Sequence, residues 1–192
     1  MNLRQLPNVI TGARMLLVLP LVWSLREGEY RLALGLALVA GGSDAIDGWL
    51  AKRFGWRTSL GGLLDPVADK LLLIGSFLGL WLVGACPGWL TALVIGRDVV
   101  IVSGAVAYHN FVAPLKGDPS LMSKATTVAQ IATVLVLLVG LAVRPLPAGE
   151  STAMQVVVAV LTAASGIDYV VRWSVRAYRG LRARRKNSEP GA

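Results

Sequence analysis

Long apolar stretches, each closed by glycine, proline or charged residues, run through the chain. Six are long enough to cross a bilayer as helices of about 20 residues. They cover roughly 9–25, 31–51, 61–83, 89–109, 122–142 and 153–174. The breaks between them, such as R-E-G-E after the first and G-A-C-P-G after the third, are of the kind that end helices. No linker divides the stretches. The pattern therefore predicts one all-α membrane domain over 1–180, a bundle of six transmembrane helices, followed by a basic tail over 181–192. Ahead of the first span, Leu3, Leu6 and Ile10 share a helical face, which predicts a short N-terminal interfacial helix. Arg4 and Arg14 before the apolar run 15–23 imitate a signal peptide. That run ends in S-L-R-E-G-E-Y with no small-residue cleavage site, so a retained helix is expected.

Four aspartates interrupt the apolar pattern: Asp44 and Asp47 late in the second stretch, Asp65 and Asp69 early in the third. One carboxylate at mid-bilayer costs roughly 2.5 to 3.5 kcal/mol on insertion scales, so four require something that neutralises them. Their spacings, i, i+3 and i, i+4, put each pair on one face of its helix. Two such faces turned together make a cage of hard oxygen ligands. It suits a Mg²⁺-like ion, or a pair of ions about 3.5 to 4 Å apart that clamps a displacement at phosphorus. Acidic residues in membrane helices also line ion pathways, so a divalent-cation transporter is the competing class, although the spans show no inverted repeat. A purely structural role, each aspartate paired with a basic residue, is the poorer reading. Lys52 and Lys70 are too few nearby partners for four carboxylates.

Charge and composition narrow the picture further. The 192 residues are 55% hydrophobic and only 16% charged, which suits an integral membrane protein. The net charge of +8 does not point to nucleic acid, because the basic residues lie in loops and at the C-terminus rather than along one helical face with aromatics. A membrane surface accounts for it. The single cysteine, Cys86, excludes an intrachain disulfide and a cysteine-based zinc site, and the single histidine, His109, excludes histidine-rich metal chemistry. Both are expected to be packing or interfacial residues. With the N-terminus cytoplasmic, the inner segments hold Arg4, Lys52, Arg53, Arg57, Lys116 and the basic tail from Arg176 to Lys186, whereas the outer loops hold Arg26, Arg31 and Arg144. The positive-inside bias thus puts both termini and the aspartate loop in the cytoplasm, as expected for a bacterial inner membrane protein. The tail is expected to be an anchor at anionic lipid headgroups. Gly75 and Gly79 form G-x-x-x-G, the mark of close helix packing within a chain or between subunits of a homodimer.

Written with its gaps, the aspartate stretch is D-x2-D-G-x2-A-K-x8-G-x3-D-x3-D. At roughly 6% usage per residue type, a chance match to its seven fixed positions besides the lysine falls below about one in a million. The pattern resembles the signature of the CDP-alcohol phosphatidyltransferase family, and the resemblance extends over nearly the whole chain. It departs at Lys52, where the family usually has arginine; lysine keeps the charge and loses the planar fork that grips phosphate. The resemblance implies that Asp44, Asp47, Asp65 and Asp69 would hold two divalent ions, Mg²⁺ or Mn²⁺, with Asp44 and Asp65 as bridges. Asp69 would also be the catalytic base for the acceptor hydroxyl. Asp47, Gly48, Ala51, Lys52 and Gly61 would bind the CDP group, the small residues by letting it approach the helix backbones. The implied reaction transfers a phosphatidyl group from CDP-diacylglycerol to an alcohol, with CMP leaving and no covalent enzyme intermediate.

The acceptor is addressed by two further polar islands, G-R-D-V in the fourth span and S-K-A-T-T-V-A-Q in the fifth. Arg97 and Lys124 are natural contacts for an acidic acceptor, with Thr126 beside them, while Asp98 lies about 100° round the helix and is expected to be a structural partner. Members using glycerol phosphate typically have G-K-x-K-T here. Ser123-Lys124-Ala125-Thr126-Thr127 with Gln130 is more similar to the S-K-x-N-T-x-x-Q of the cardiolipin synthase branch. The expected acceptor is therefore phosphatidylglycerol, giving cardiolipin. Glycerol 3-phosphate, as in phosphatidylglycerophosphate synthases, is the alternative.

Overall fold

The computed structural model describes the backbone at 6–54, 59–111 and 120–188, and side chains at 9–43, 53, 64–106, 120–147, 149–176 and 178. The described residues form six α-helices and no strand: α1 (Leu6–Arg26), α2 (Tyr30–Phe54), α3 (Ser59–Leu82), α4 (Gly88–Phe111), α5 (Leu121–Ala142) and α6 (Ala148–Ser188). Among the described residues, four segments are long and apolar enough to cross a membrane: Val9–Arg26, Gly88–Val106, Leu121–Ala142 and Gly149–Arg176. They mark a membrane protein. In α2 the described apolar segment is Tyr30–Ser43, beyond which the helix continues through Asp44 and Asp47 to Phe54.

At both ends the described helices extend beyond the apolar stretches. α1 starts at Leu6 and runs through Ile10 into the apolar stretch, so no separate interfacial helix precedes it among the described residues; Leu3 lies outside them. α6 is 41 residues long and continues well past the end of the apolar pattern to Ser188. Its basic extension is rich in arginine, with Ala177, Leu181 and Ala183, all of which favour helix, and proline follows only at Pro190.

Contacts group the chain into two compact units, 1–91 with 130–155, and 92–129 with 156–192. In the first, α1 packs along both α2 and α3. Leu21, Leu25, Phe77, Leu80 and Leu90 are fully buried there. The G-x-x-x-G of α3 is filled by α1: a Cβ on Gly75 would collide with Val18, and one on Gly79 would fall 2.5 Å from Leu25 Cδ1. These glycines act within the chain, so a homodimer would have to use another face. Tight turns end α1 and α3, where Gly28 (φ 79) and Gly84 (φ 74) adopt the left-handed conformation that closes a helix C-terminus. Arg31 Nε donates to the Ala142 carbonyl at the end of α5 at 3.4 Å, and Gln155 Nε2 to the Ala85 carbonyl in the turn after α3 at 3.0 Å, satisfying two backbone acceptors.

The second unit is held by hydrogen bonds rather than by large apolar side chains. Arg97, Asp98, Thr126, Thr162 and Ser165 are buried in it, and Tyr169 Oη donates to the Ile101 carbonyl at 2.7 Å. Its exposed side chains include Val99, Val102, Val128, Val160 and Val171. Polar inside and apolar outside is the arrangement lipid favours, since apolar exteriors cost nothing there and buried polar groups must find partners within the protein.

Candidate active site

Thr11 and Arg14 share one face of α1, and Asp65 and Asp69 share one face of α3. The faces meet. Thr11 Oγ1 donates to Asp65 Oδ1 at 2.7 Å, and Arg14 Nη1 donates to Asp69 Oδ1 at 2.7 Å. Farther along the same seam Val18 meets Gly75 and Leu25 meets Gly79. Residue numbers rise together on both sides, so α1 and α3 run in the same direction, as two helices do when a third returns between them.

The ion pair is asymmetric. The Arg14 side chain is 0% exposed, whereas that of Asp69 is 54% exposed. A guanidinium removed from water carries a penalty of several kcal/mol unless a carboxylate offsets it, and Asp69 supplies such an offset to Arg14 inside an apolar helix. Asp69 in turn is fixed from beneath and accessible from outside. Asp65 is half-buried beside it, held by a neutral hydroxyl rather than a cation.

This corrects one expectation. Asp69 has a basic partner outside its own sequence neighbourhood: Arg14, 55 residues away in sequence. Neither Thr11 nor Arg14 was singled out from the sequence. The signal for Arg14 is an arginine within an apolar span, which counts as functional by default.

Of the other expected ligands, Asp44, Asp47, Gly48, Ala51 and Lys52 belong to α2 and Gly61 to α3. Their side chains lie outside the described residues, as does that of His109. Among the described residues no three His, Cys, Asp or Glu side chains gather around a metal position. Asp65 and Asp69 nonetheless fit a hard divalent cation by donor chemistry: they are carboxylates one turn apart, each oriented by a donor in the manner of outer-shell partners of metal ligands.

The residues expected at the acceptor belong to the second unit. Arg97 is buried, and its guanidinium donates to Asp98 Oδ1 at 2.7 Å, Ser123 Oγ at 2.6 Å and Ser165 Oγ at 2.9 Å. One side chain thus ties α4 to α5 and α6, with Asp98 as its counter-ion. Thr126 is fully buried; its hydroxyl donates to the Met122 carbonyl at 2.9 Å, with the Leu161 carbonyl at 3.2 Å. Lys124 is exposed. Ser120 caps α5, accepting from the Ser123 amide at 3.1 Å.

Cys86 is buried in the turn between α3 and α4, 3.7 Å from Thr91 Oγ1. Burial raises its thiol pKa, an effect opposed by the Thr91 hydrogen bond.

Apolar helices with an acidic, arginine-pinned seam define a membrane protein with carboxylates paired across two of its helices. Residues 4–167 match the family profile described as CDP-alcohol phosphatidyltransferase, and the chain belongs to that family. The family is generally dependent on a divalent metal. The chain is 31% identical over 149 residues to a probable cardiolipin synthase (CMP-forming) of Drosophila melanogaster, covering 69% of this chain and 46% of that one. It is 30% identical over 191 residues to a probable phosphatidylglycerophosphate synthase of Mycobacterium tuberculosis (strain CDC 1551 / Oshkosh), covering 94% and 87%. The human cardiolipin synthase (CMP-forming) is 28% identical over 183 residues, covering 85% and 60%. The chain therefore spans about half the length of the fly relative and most of the mycobacterial one.

Proposed function

We propose that this protein transfers the phosphatidyl group of CDP-diacylglycerol to an alcohol with release of CMP, and that the alcohol is phosphatidylglycerol, giving cardiolipin. The observation that carries the reading is the pair Asp65 and Asp69, one turn apart and each oriented from α1, inside the family signature. The acceptor hydroxyl oxygen attacks the phosphorus that bears diacylglycerol. The bond from that phosphorus to the CMP oxygen breaks, its electron pair leaves with CMP, and the hydroxyl proton passes to Asp69. Two divalent ions, Mg²⁺ or Mn²⁺, held by Asp44, Asp47, Asp65 and Asp69, supply charge neutralisation at the diphosphate when bound. Asp47, Gly48, Ala51, Lys52 and Gly61 receive the CDP group, with Lys52 making a single-point contact to phosphate.

On the acceptor side, exposed Lys124 makes the direct contact. Buried Arg97 and Thr126 fix α5 against its neighbours behind it. Phosphatidylglycerol carries a singly charged diester and needs fewer cations than a phosphate monoester, which agrees with threonine rather than lysine at Thr126. The reading of glycerol 3-phosphate as acceptor is favoured by one observation, the near-complete overlap with the mycobacterial relative.

The six helices each cross the inner membrane of a bacterium once, with the start of α1 at the interface and both termini and the site cytoplasmic. The shared direction of α1 and α3 supports this alternation. Residues 1–180 then form the catalytic membrane domain and 181–192 a basic tail at the lipid surface.

The test is to give purified protein CDP-diacylglycerol and Mg²⁺ with each alcohol in turn and to measure CMP and lipid product. Cardiolipin from phosphatidylglycerol is expected. Phosphatidylglycerophosphate alone would promote the glycerol 3-phosphate reading, and cation flux in proteoliposomes without CMP release would favour a transporter.

A further inference from the structure

We infer that Thr11 and Arg14 are positioning residues of the transfer reaction, a pair of donors on α1 that fix the orientation of the Asp65 and Asp69 carboxylates. The inference rests on the reading of the site given above. An aspartate carboxylate turns about a broad, roughly two-fold torsion, so an aspartate in an open site presents no single edge to a ligand. Here each is gripped at Oδ1 by a donor 2.7 Å away. Because the Arg14 side chain is 0% exposed, it acts through the groups it holds, Asp69 among them, rather than by touching a substrate.

The two donors differ in kind, and the difference matches the roles of their partners. Thr11 is neutral and leaves the charge of Asp65 for a cation to use. Arg14 holds Asp69 with a planar, fixed cation, which suits a group that must be aimed at one hydroxyl. The seam that carries both donors is locked by Val18 on Gly75 and Leu25 on Gly79, so α1 offers a rigid base. A mere interhelical tether would need no such match, and the glycine contacts already close the seam.

The test uses the full chain in lipid nanodiscs, with Mn²⁺ binding followed by electron paramagnetic resonance and CMP release measured at varied CDP-diacylglycerol. Thr11→Val, which keeps the shape and removes the hydroxyl, is expected to weaken Mn²⁺ binding about 10-fold, the usual scale for an outer-shell partner, and Thr11→Ser to restore it. Arg14→Gln is expected to lower kcat about 10- to 100-fold with KM for CDP-diacylglycerol kept, and Arg14→Lys to recover part of the loss. If Arg14→Gln does not fold, Arg14→Lys still decides: kcat below wild type at unchanged KM supports positioning, and wild-type kcat overturns it. Wild-type Mn²⁺ affinity in Thr11→Val with wild-type kcat in Arg14→Gln, only the melting temperature falling, would reduce the pair to a structural tether. A wrong transfer reading looks different, since the wild-type protein then releases no CMP with any alcohol. The Mn²⁺ titration needs no turnover, and a loss confined to Thr11→Val would support positioning even then.

Discussion

Gly79 is a glycine because Leu25 of α1 lies where its side chain would be: a Cβ there would stand 2.5 Å from Leu25 Cδ1. Leu25 is fully buried, so it has little room to move aside. Gly79→Leu should therefore destabilise the protein by about 1 to 3 kcal/mol, the usual scale of overpacking, and disturb the alignment of Arg14 with Asp69. Adding Leu25→Ala should return part of both stability and CMP release. Equal melting temperatures for Gly79→Leu and wild type would mean that α1 does not pack this closely.

Metal removal separates a carboxylate-centred transferase from other designs. Excess chelator should abolish CMP release, and Mg²⁺ or Mn²⁺ should restore it, since hard oxygen donors favour such ions. Sustained turnover in chelator would refute the two-ion reading.

Substitutions among the aspartates should divide binding from chemistry. Asp69→Asn keeps an oxygen to accept from Arg14, so the fold should survive while CMP release falls about 10²- to 10⁴-fold and CDP-diacylglycerol still binds. Asp65→Asn and Asp44→Asn should weaken metal and nucleotide binding as well. Gly48→Leu should reduce nucleotide affinity; unaltered affinity would mean that CDP does not lie along that part of α2.

Acceptor use should respond to Lys124. Lys124→Ala should raise KM for phosphatidylglycerol while leaving CDP-diacylglycerol affinity close to wild type, because a charge-assisted contact to phosphate is worth about 1.5 to 3 kcal/mol. Arg97→Ala should do broader damage, since Asp98 would lose its counter-ion and α5 its tie to α6. A Lys124→Ala enzyme with unchanged KM for every alcohol would remove this lysine from the acceptor site.

Cys86 supplies a control with a pH signature. Burial raises its pKa, so the thiol stays neutral where an exposed one begins to ionise. Maleimide labelling of folded protein should be slow and activity unaffected by it. The unfolded chain ionises this thiol first, so its stabilising contribution is complete below the ordinary thiol range and is lost as pH rises through the folded value. Rapid labelling at neutral pH would show that the turn is open.

The helices were legible because their boundaries are chemical: glycine, proline and charge interrupt apolar runs, and α1 to α5 begin and end near those interruptions. Asp65 and Asp69 were legible from spacing alone, since i, i+4 fixes a shared face within one helix. Their partners were not. Which face of α1 meets which face of α3 is a property of two helices separated by a third, and periodicity within either is silent about it. Hydropathy averages over a window and shows Arg14 as a flanking charge, whereas its burial rests on specific partners such as Asp69. The extent of α6 was missed for a related reason, as hydropathy falls where the basic residues start but helix propensity does not.

The pairing of Arg14 with Asp69 also sets an order of events at the ribosome. The two residues are 55 positions apart, and a chain growing at about 5 to 20 residues per second delivers the cation seconds before its carboxylate. During that interval the first helix carries a charge that favours the headgroup region over the hydrocarbon. This ion pair is thus completed by the arrival of α3 rather than before it, and a chain stalled between the two would hold its first helix without that contact.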